Sequence, residues 1–285
     1  MGNLVLEPIP RVEGISERNF RISYLEALRP LIFKDLASCW PATRKWTPDY
    51  LKDQYGSLMV HLHDASYARP GKYYMGSLRR VCFADYLDLI TTSATDLRMF
   101  GFNLYWKAPK LMQDIRFPAL AGDFSKRVVL MFFGCKGSVT PMHYDLDMKH
   151  VFHTVLYGRK RVVLFPNEEA RNLYSHPFNT RSYVDIDRPD FVRFPRLKNV
   201  VGHEAIIAPG ETLFIPSGYF HHIVYEEGGY GVTVRCRHAS FARRFRGYVN
   251  IGICLPIDKT MNALCPECWF RFKERIAERR GIERV

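Results

Sequence analysis

The sequence has no apolar run near the roughly 20 residues that a membrane-crossing helix needs, so a bilayer-spanning chain is not expected. Its first residues, MGNLVLEPIPRVEG, lack the basic stretch and apolar block of a secretory signal. Leu6 stands where a myristoylation signal would carry Ser or Thr. Acidic residues are scarce: 29 Asp and Glu face 41 Lys and Arg, a net charge of +12. That imbalance favours an acidic partner, whether RNA, an acidic protein segment or an anionic small molecule. No RRM-like, KH-like or aromatic–basic stacking motif accompanies it. The seven cysteines are odd in number and mostly scattered. They argue for a reducing compartment, the cytoplasm, with the nucleus open if the source is eukaryotic. Cys265 and Cys268 form the one close pair, CPEC. A zinc site would need two further ligands, and the sequence offers no second pair. Internal repeats and low-complexity linkers are also absent, which removes solenoids and bead-like arrays.

What is present is a chain of 285 residues, 47% of them hydrophobic. That suits one large domain with a substantial core. The N-terminal part mixes elements. Ser16 can cap a partly periodic helix over 15–28, and Pro30–Phe33 reads as a short strand. Thr47 and Pro48 open a helix, Leu58–His63 alternates as a strand, Phe83–Thr91 is helical and Arg98–Trp106 extended. Asp64–Met75 is a loop with Tyr67, Arg69, Lys72, Tyr73 and Tyr74, suited either to a substrate-facing lid or to plain surface.

From Val128 the pattern is β throughout. Val128–Phe133 is a continuous apolar run, as in a strand buried on both faces. Strands follow at His150–Tyr157, Lys160–Phe165, Glu204–Ala208, Glu211–Pro216, His221–Glu226 and Gly231–Arg237, with turns at Gly158-Arg159 and Pro209-Gly210. Pro166–Phe194 is a long insertion. About eight short strands of this kind predict a mainly β fold, a double-stranded β-helix or jelly roll of the cupin type. Residues 1–126 are then N-terminal α/β elements, 127–240 the jelly-roll core and 250–285 a helical tail of one domain.

Thr140–Lys160 carries the chemistry. Side chains two apart on a strand share a face, so His143 and Asp145 can reach one metal ion together, with a third ligand from His221 or His222. Two His and one carboxylate form the facial triad that leaves positions open on non-heme Fe(II). A lone His-x-Asp is more often a hydrogen-bonded pair at a strand end. The order His-x-Asp, then Lys160, then PGETLFIP, then His221 is more specific than that pair.

TPMHYD, YGRKRVVLFP, PGETLFIPSGYFHH and GGYGVTV resemble the JmjC/cupin-like oxygenases that use Fe(II) and 2-oxoglutarate. The likeness is strong over 128–237 and ends near Asn250. Among the members it resembles are enzymes that hydroxylate a protein asparagine or a modified tRNA base. The resemblance implies His143, Asp145 and His221 as iron ligands, and Thr140 and Lys160 as partners of the far carboxylate of 2-oxoglutarate. Val151 and Arg235 fall where many members carry Asn. Arg235 can grip a carboxylate as a fork donor or sit on the strand surface. The implied reaction is hydroxylation of a protein or peptide side chain. RNA or a small molecule is the alternative substrate, and a non-catalytic metal-binding cupin the alternative class. The tail places Trp269, Phe270 and Phe272 on a basic helix with no evident use in a barrel. Their burial in a homodimer is expected, with folding back on the chain's own barrel as the other solution.

Overall fold

From Leu130 onward short strands and tight turns fold the chain into two facing sheets. The computed structural model describes residues 4–68 and 78–282. The core strands are β1 (Leu130–Gly134), β2 (Val139–His143), β3 (His150–Tyr157), β4 (Lys160–Phe165), β5 (Val201–Ile207), β6 (Thr212–Ile215), β7 (Phe220–Tyr225) and β8 (Gly229–Cys236). One sheet runs β2-β7-β4-β5, the other β1-β8-β3-β6. This is the jelly-roll order expected from the sequence. Gly158 makes the tight turn between β3 and β4 at φ 71°, and a Cβ there would lie 2.4 Å from the Gly228 carbonyl oxygen. Only glycine meets both demands.

Additional strands extend both sheets and limit their bare edges. Val5–Pro8 pairs in parallel with β5, Leu31–Phe33 pairs with β6, and Arg98–Asn103 pairs with β1. The expected extended run to Trp106 stops at Asn103. There the Asn103 side chain accepts from the Tyr105 amide at 3.0 Å and starts a helical turn, Leu104–Lys107.

Each layer is set by the two-residue period. Odd residues of β3 and even residues of β4 face the barrel interior, where Val151, Val155, Val162, Leu164, Leu213 and Ile215 close one end. Opposite-facing residues are covered from outside. Phe152 and Phe214 meet Phe20 and Phe33, with Phe20 to Phe214 centroids at 5.0 Å. Phe20 lies in the helix Glu17–Phe20, which Ser16 caps as the sequence suggests. Helix α1 (Pro48–Tyr55) is capped by Thr47, whose hydroxyl accepts from the Tyr50 amide at 3.1 Å. Helix α2 (Phe83–Thr92) buries Phe83, Tyr86, Leu87 and Ile90 at i, i+3, i+4 and i+7. The other sheet is covered by the insertion after β4, which packs Leu173, Tyr174, Val184 and Ile186 against Met142, Val163 and Phe220. The expected loop after Asp64 lies, for Arg69 to Met75, outside the described residues.

The tail begins earlier than expected, with α3 (Phe241–Val249), and continues through α4 (Leu255–Leu264) and α5 (Pro266–Ile282). The expectation that its rings need a second copy is corrected for two of the three. Trp269 is 7% exposed, lies tilted against Phe178 with ring centroids 5.3 Å apart and donates its indole N–H to Asp258 at 2.7 Å. Phe270 meets His176 and Tyr183 of the insertion. Lys273 is also buried, on Asp258 at 2.5 Å. The tail is therefore an intrachain cover over the insertion. Trp269→Ala should lower unfolding stability by about 3–5 kcal/mol, read by urea denaturation, without changing the mass measured by light scattering. An unchanged midpoint would show that the tail is not part of the folded unit. No helix of the described residues is long and apolar enough to cross a membrane.

Candidate metal centre and its cavity

Strands β2 and β7 lie side by side, and His143 faces His221 in the ladder. Their ring centroids are 4.3 Å apart. Asp145, just past the end of β2, joins them. One ligand atom from each of His143, Asp145 and His221 lies within 4.8 Å of the others, and this is the one such group among the described residues. Cys265 and Cys268 gather no such partners there.

A register shift makes this geometry. His221 pairs with His143, but Ile223 pairs with Thr140. Two residues of β2, Pro141 and Met142, thus stand opposite one of β7, His222, a bulge at Pro141-Met142. Simple alternation would send Thr140 and His143 to opposite faces. With the bulge both line the interior cavity, while Met142 packs outward in the insertion's cluster. Strand β7 keeps its alternation, so His222 points away from the cavity. Its Nε2 lies 3.0 Å from Asp187 on the outer side.

The three groups have the protonation a cation requires. His143 Nδ1 lies 2.8 Å from the Pro141 carbonyl, and His221 Nδ1 lies 3.1 Å from the Tyr219 carbonyl. A carbonyl can only accept, so each Nδ1 carries the proton and each Nε2 keeps a free lone pair. Burial, reinforced by His221, pushes His143 down to about 3. Burial likewise lowers His221. For Asp145 burial opposes ionisation, but Arg235 and the two imidazoles outweigh it and hold the carboxyl below its ordinary range. At neutral pH the cluster is two neutral imidazoles and one carboxylate, a donor set that suits Fe(II).

The cluster opens on a cavity of about 370 Å³ with apolar walls at Leu130, Phe132, Val151, Ile215 and Ile223. Leu130 and Phe132 face this space, so β1 is not buried on both faces as the sequence suggests: these two residues are only partly buried. Thr140 and Lys160 line the cavity as well. Lys160 is 1% exposed, with Nζ 3.1 Å from His153 Nε2 and 4.5 Å from the Tyr225 ring centroid. Among the described residues no carboxylate pairs with it, and burial pushes its ammonium down to about 7. Burial, then Lys160, keeps His153 neutral. Its Nε2 accepts from Lys160, which leaves Nδ1–H to donate to Thr233 Oγ1 at 3.0 Å. Gly231 leaves room for this ring, since a Cβ there would stand 3.0 Å from His153 Cε1.

Arg235 also lines the cavity, with its guanidinium 3.2 Å from Asp145 and 3.2 Å from Asp147. It grips carboxylates of the chain itself. His153, Thr233, Tyr225 and Asp147 were not singled out in the sequence. The alternation of β3 carries a signal for His153, which shares a face with Val151 and Val155.

The cupin-like domain family matches residues 17–241. Over 245 residues the chain is 28% identical to lysine-specific demethylase 8 of Danio rerio, covering 80% of this chain and 59% of that protein. It is 29% identical over 253 residues to tRNA wybutosine-synthesizing protein 5 of Homo sapiens, covering 81% and 78%. JmjC domain-containing protein D of Dictyostelium discoideum is 30% identical over 244 residues, covering 77% and 53%.

Proposed function

The chain belongs to the cupin-like domain family, and from that premise we propose that it is an Fe(II)- and 2-oxoglutarate-dependent oxygenase that hydroxylates a protein side chain. One observation carries this reading: a His-Asp-His cluster with both Nε2 lone pairs free shares one apolar cavity with a buried, unneutralised lysine. His143, Asp145 and His221 would hold the metal. Lys160 and Thr140 would receive the far carboxylate of the cosubstrate. An isolated ammonium in an apolar cavity is unfavourable until an anion joins it. Bound together, Fe(II) and 2-oxoglutarate would supply, with O2 as oxidant, decarboxylation to succinate and CO2 coupled to insertion of the second oxygen atom into a C–H bond.

The chain's residues do the rest. His153 and Thr233 fix the direction of the Lys160 side chain. Arg235 is a positioning residue that holds the Asp145 carboxylate in place from the side. The apolar walls exclude water and confine the reaction to a docked side chain. A non-catalytic metal-binding cupin would have no use for Lys160 so placed. An RNA base is the second reading, favoured by the net charge of +12 and by similarity to a protein named for tRNA wybutosine synthesis.

Succinate release from 2-oxoglutarate, measured with pooled peptides, pooled RNAs and pooled small molecules, decides among these. Stimulation by the peptide pool, with a product heavier by one oxygen atom, is the expected result. Stimulation by RNA alone selects the second reading. Iron-loaded protein that releases no succinate with any of the three pools, and none in their absence, overturns the oxygenase assignment.

A further inference from the structure

A second cavity, of about 520 Å³, backs onto the first across two chain segments, 143–145 and 250–255. Tyr144, which stands between His143 and Asp145, lines it, whereas His143 and Asp145 line the metal cavity. Its other walls come from the insertion, from α3 and the helical stretch Asn250–Cys254 that continues it, and from α5. Arg171, Arg246 and Arg280 line it, and among the described residues no Asp or Glu does. Arg246 is held by neutral groups, donating to Asn167 Oδ1 at 2.8 Å and to the Tyr144 hydroxyl at 3.3 Å. Among the described residues none of the three arginines has a carboxylate within ion-pair distance.

Two further wall residues hold unused hydrogen-bonding capacity. Asn179 Oδ1 accepts from the Arg181 amide at 3.0 Å, which fixes the orientation of the side chain. Its Nδ2 is then a buried donor without a partner. His176 is 5% exposed, and its Nδ1 is buried without a partner as well. Burial, then Lys273 and Arg193, pushes His176 down to about 3, so the ring is neutral and can present an N–H. Buried polar atoms are normally satisfied, and these two stand unpartnered in residues that line the three-arginine cavity.

We propose that this cavity is a binding site for a phosphate group, separate from the metal centre. A phosphate presents three or more acceptor oxygens to guanidinium forks and carries enough charge to answer several of them. A single carboxylate has two oxygens and one charge. The volume falls in the range of small-molecule sites, about 300–1,000 Å³, so the remainder of a phosphorylated molecule fits beside the anion. That molecule is either a free phosphorylated compound or a nucleic acid strand. On the outward side of α3, Phe241, Phe245 and Tyr248 are exposed at helical spacing, a surface on which bases can stack. The inference goes beyond the oxygenase reading and does not depend on it.

The test is calorimetric titration of the full chain with inorganic phosphate and with a short oligouridylate. The proteins are wild type, His143→Ala and the double variant Arg171→Gln/Arg280→Gln. Arg171 and Arg280 are exposed, so their replacement leaves the core intact. Phosphate should bind wild type and His143→Ala equally, and the double variant about tenfold or more weaker. A parallel loss for oligouridylate identifies the source as nucleic acid. Binding of inorganic phosphate without oligouridylate identifies a small phosphorylated compound. Equal phosphate affinity in wild type and double variant, or no binding to wild type, overturns the proposal. Loss in His143→Ala equal to that in the double variant would place the phosphate at the metal centre and overturn it too.

Discussion

His143→Ala should abolish iron binding and all iron-dependent turnover, and Asp145→Ala should do nearly the same, but the two should differ in stability. Each removes one of three ligand atoms gathered within 4.8 Å. Changes to groups outside the ligand set already weaken metal sites by about 10–100-fold, and loss of a ligand exceeds that. The divergence follows from Arg235. Removing the neutral imidazole leaves every charge paired. Removing the Asp145 carboxylate leaves the buried guanidinium with Asp147 alone. Stripping a buried ion of a partner is destabilising by up to about 3–5 kcal/mol, less here because Asp147 remains. In chelator, His143→Ala should unfold close to wild type and Asp145→Ala at a clearly lower temperature. Metal analysis of the purified variants gives the first half of the result, and retention of stoichiometric iron by His143→Ala would exclude this cluster as the metal site.

Lys160→Ala should cut 2-oxoglutarate affinity by more than about a hundredfold, on the scale of losing a charge-assisted contact in a desolvated site, while iron binding stays near wild type. The pH dependence separates a direct partner from a packing effect. Burial lowers the Lys160 ammonium from 10.5 to about 7, and a bound carboxylate favours the charged form. Binding above pH 7 therefore takes up a proton, and wild-type affinity should fall as pH rises from 7 toward 9. In the variant that slope disappears. Stability of the ligand-free protein runs the other way. Between about 7 and 10.5 the unfolded chain holds a proton on this lysine that the folded chain does not. The folding penalty is thus complete below pH 7 and fades as pH rises through that window. Lys160→Met should stabilise the ligand-free protein at neutral pH while losing its cosubstrate. Unchanged 2-oxoglutarate affinity in Lys160→Ala would remove this lysine from the site.

Most of the barrel was legible because its strands obey a local rule. Alternation and the glycine and proline turns located β3, β4, β6 and β7 to within a residue or two. His143, Asp145 and His221 stood out because their order along the chain is specific. Other features depend on which segment lies opposite. The bulge at Pro141-Met142 exists only in the register of β2 against β7. Arg235 gave no hint that Asp147 would be its partner. Helix α3 was missed because its pattern is inverted: Phe241 and Phe245 are exposed, while Arg246 reaches inward to Tyr144. The tail's rings looked orphaned until the insertion that covers them had a place in space.

That bulge has a consequence for how such a site can change over generations. A point substitution at Pro141 or Met142 alters shape and packing but keeps the count of residues between Thr140 and His143. Deletion of one residue there changes the count and turns either the Thr140 hydroxyl or the His143 and Asp145 side chains to the outer surface. The centre is therefore tolerant of spelling and intolerant of frame. Variation should accumulate on this short stretch as substitution, while gain or loss of a single residue separates chains that keep the centre from chains that keep only the barrel.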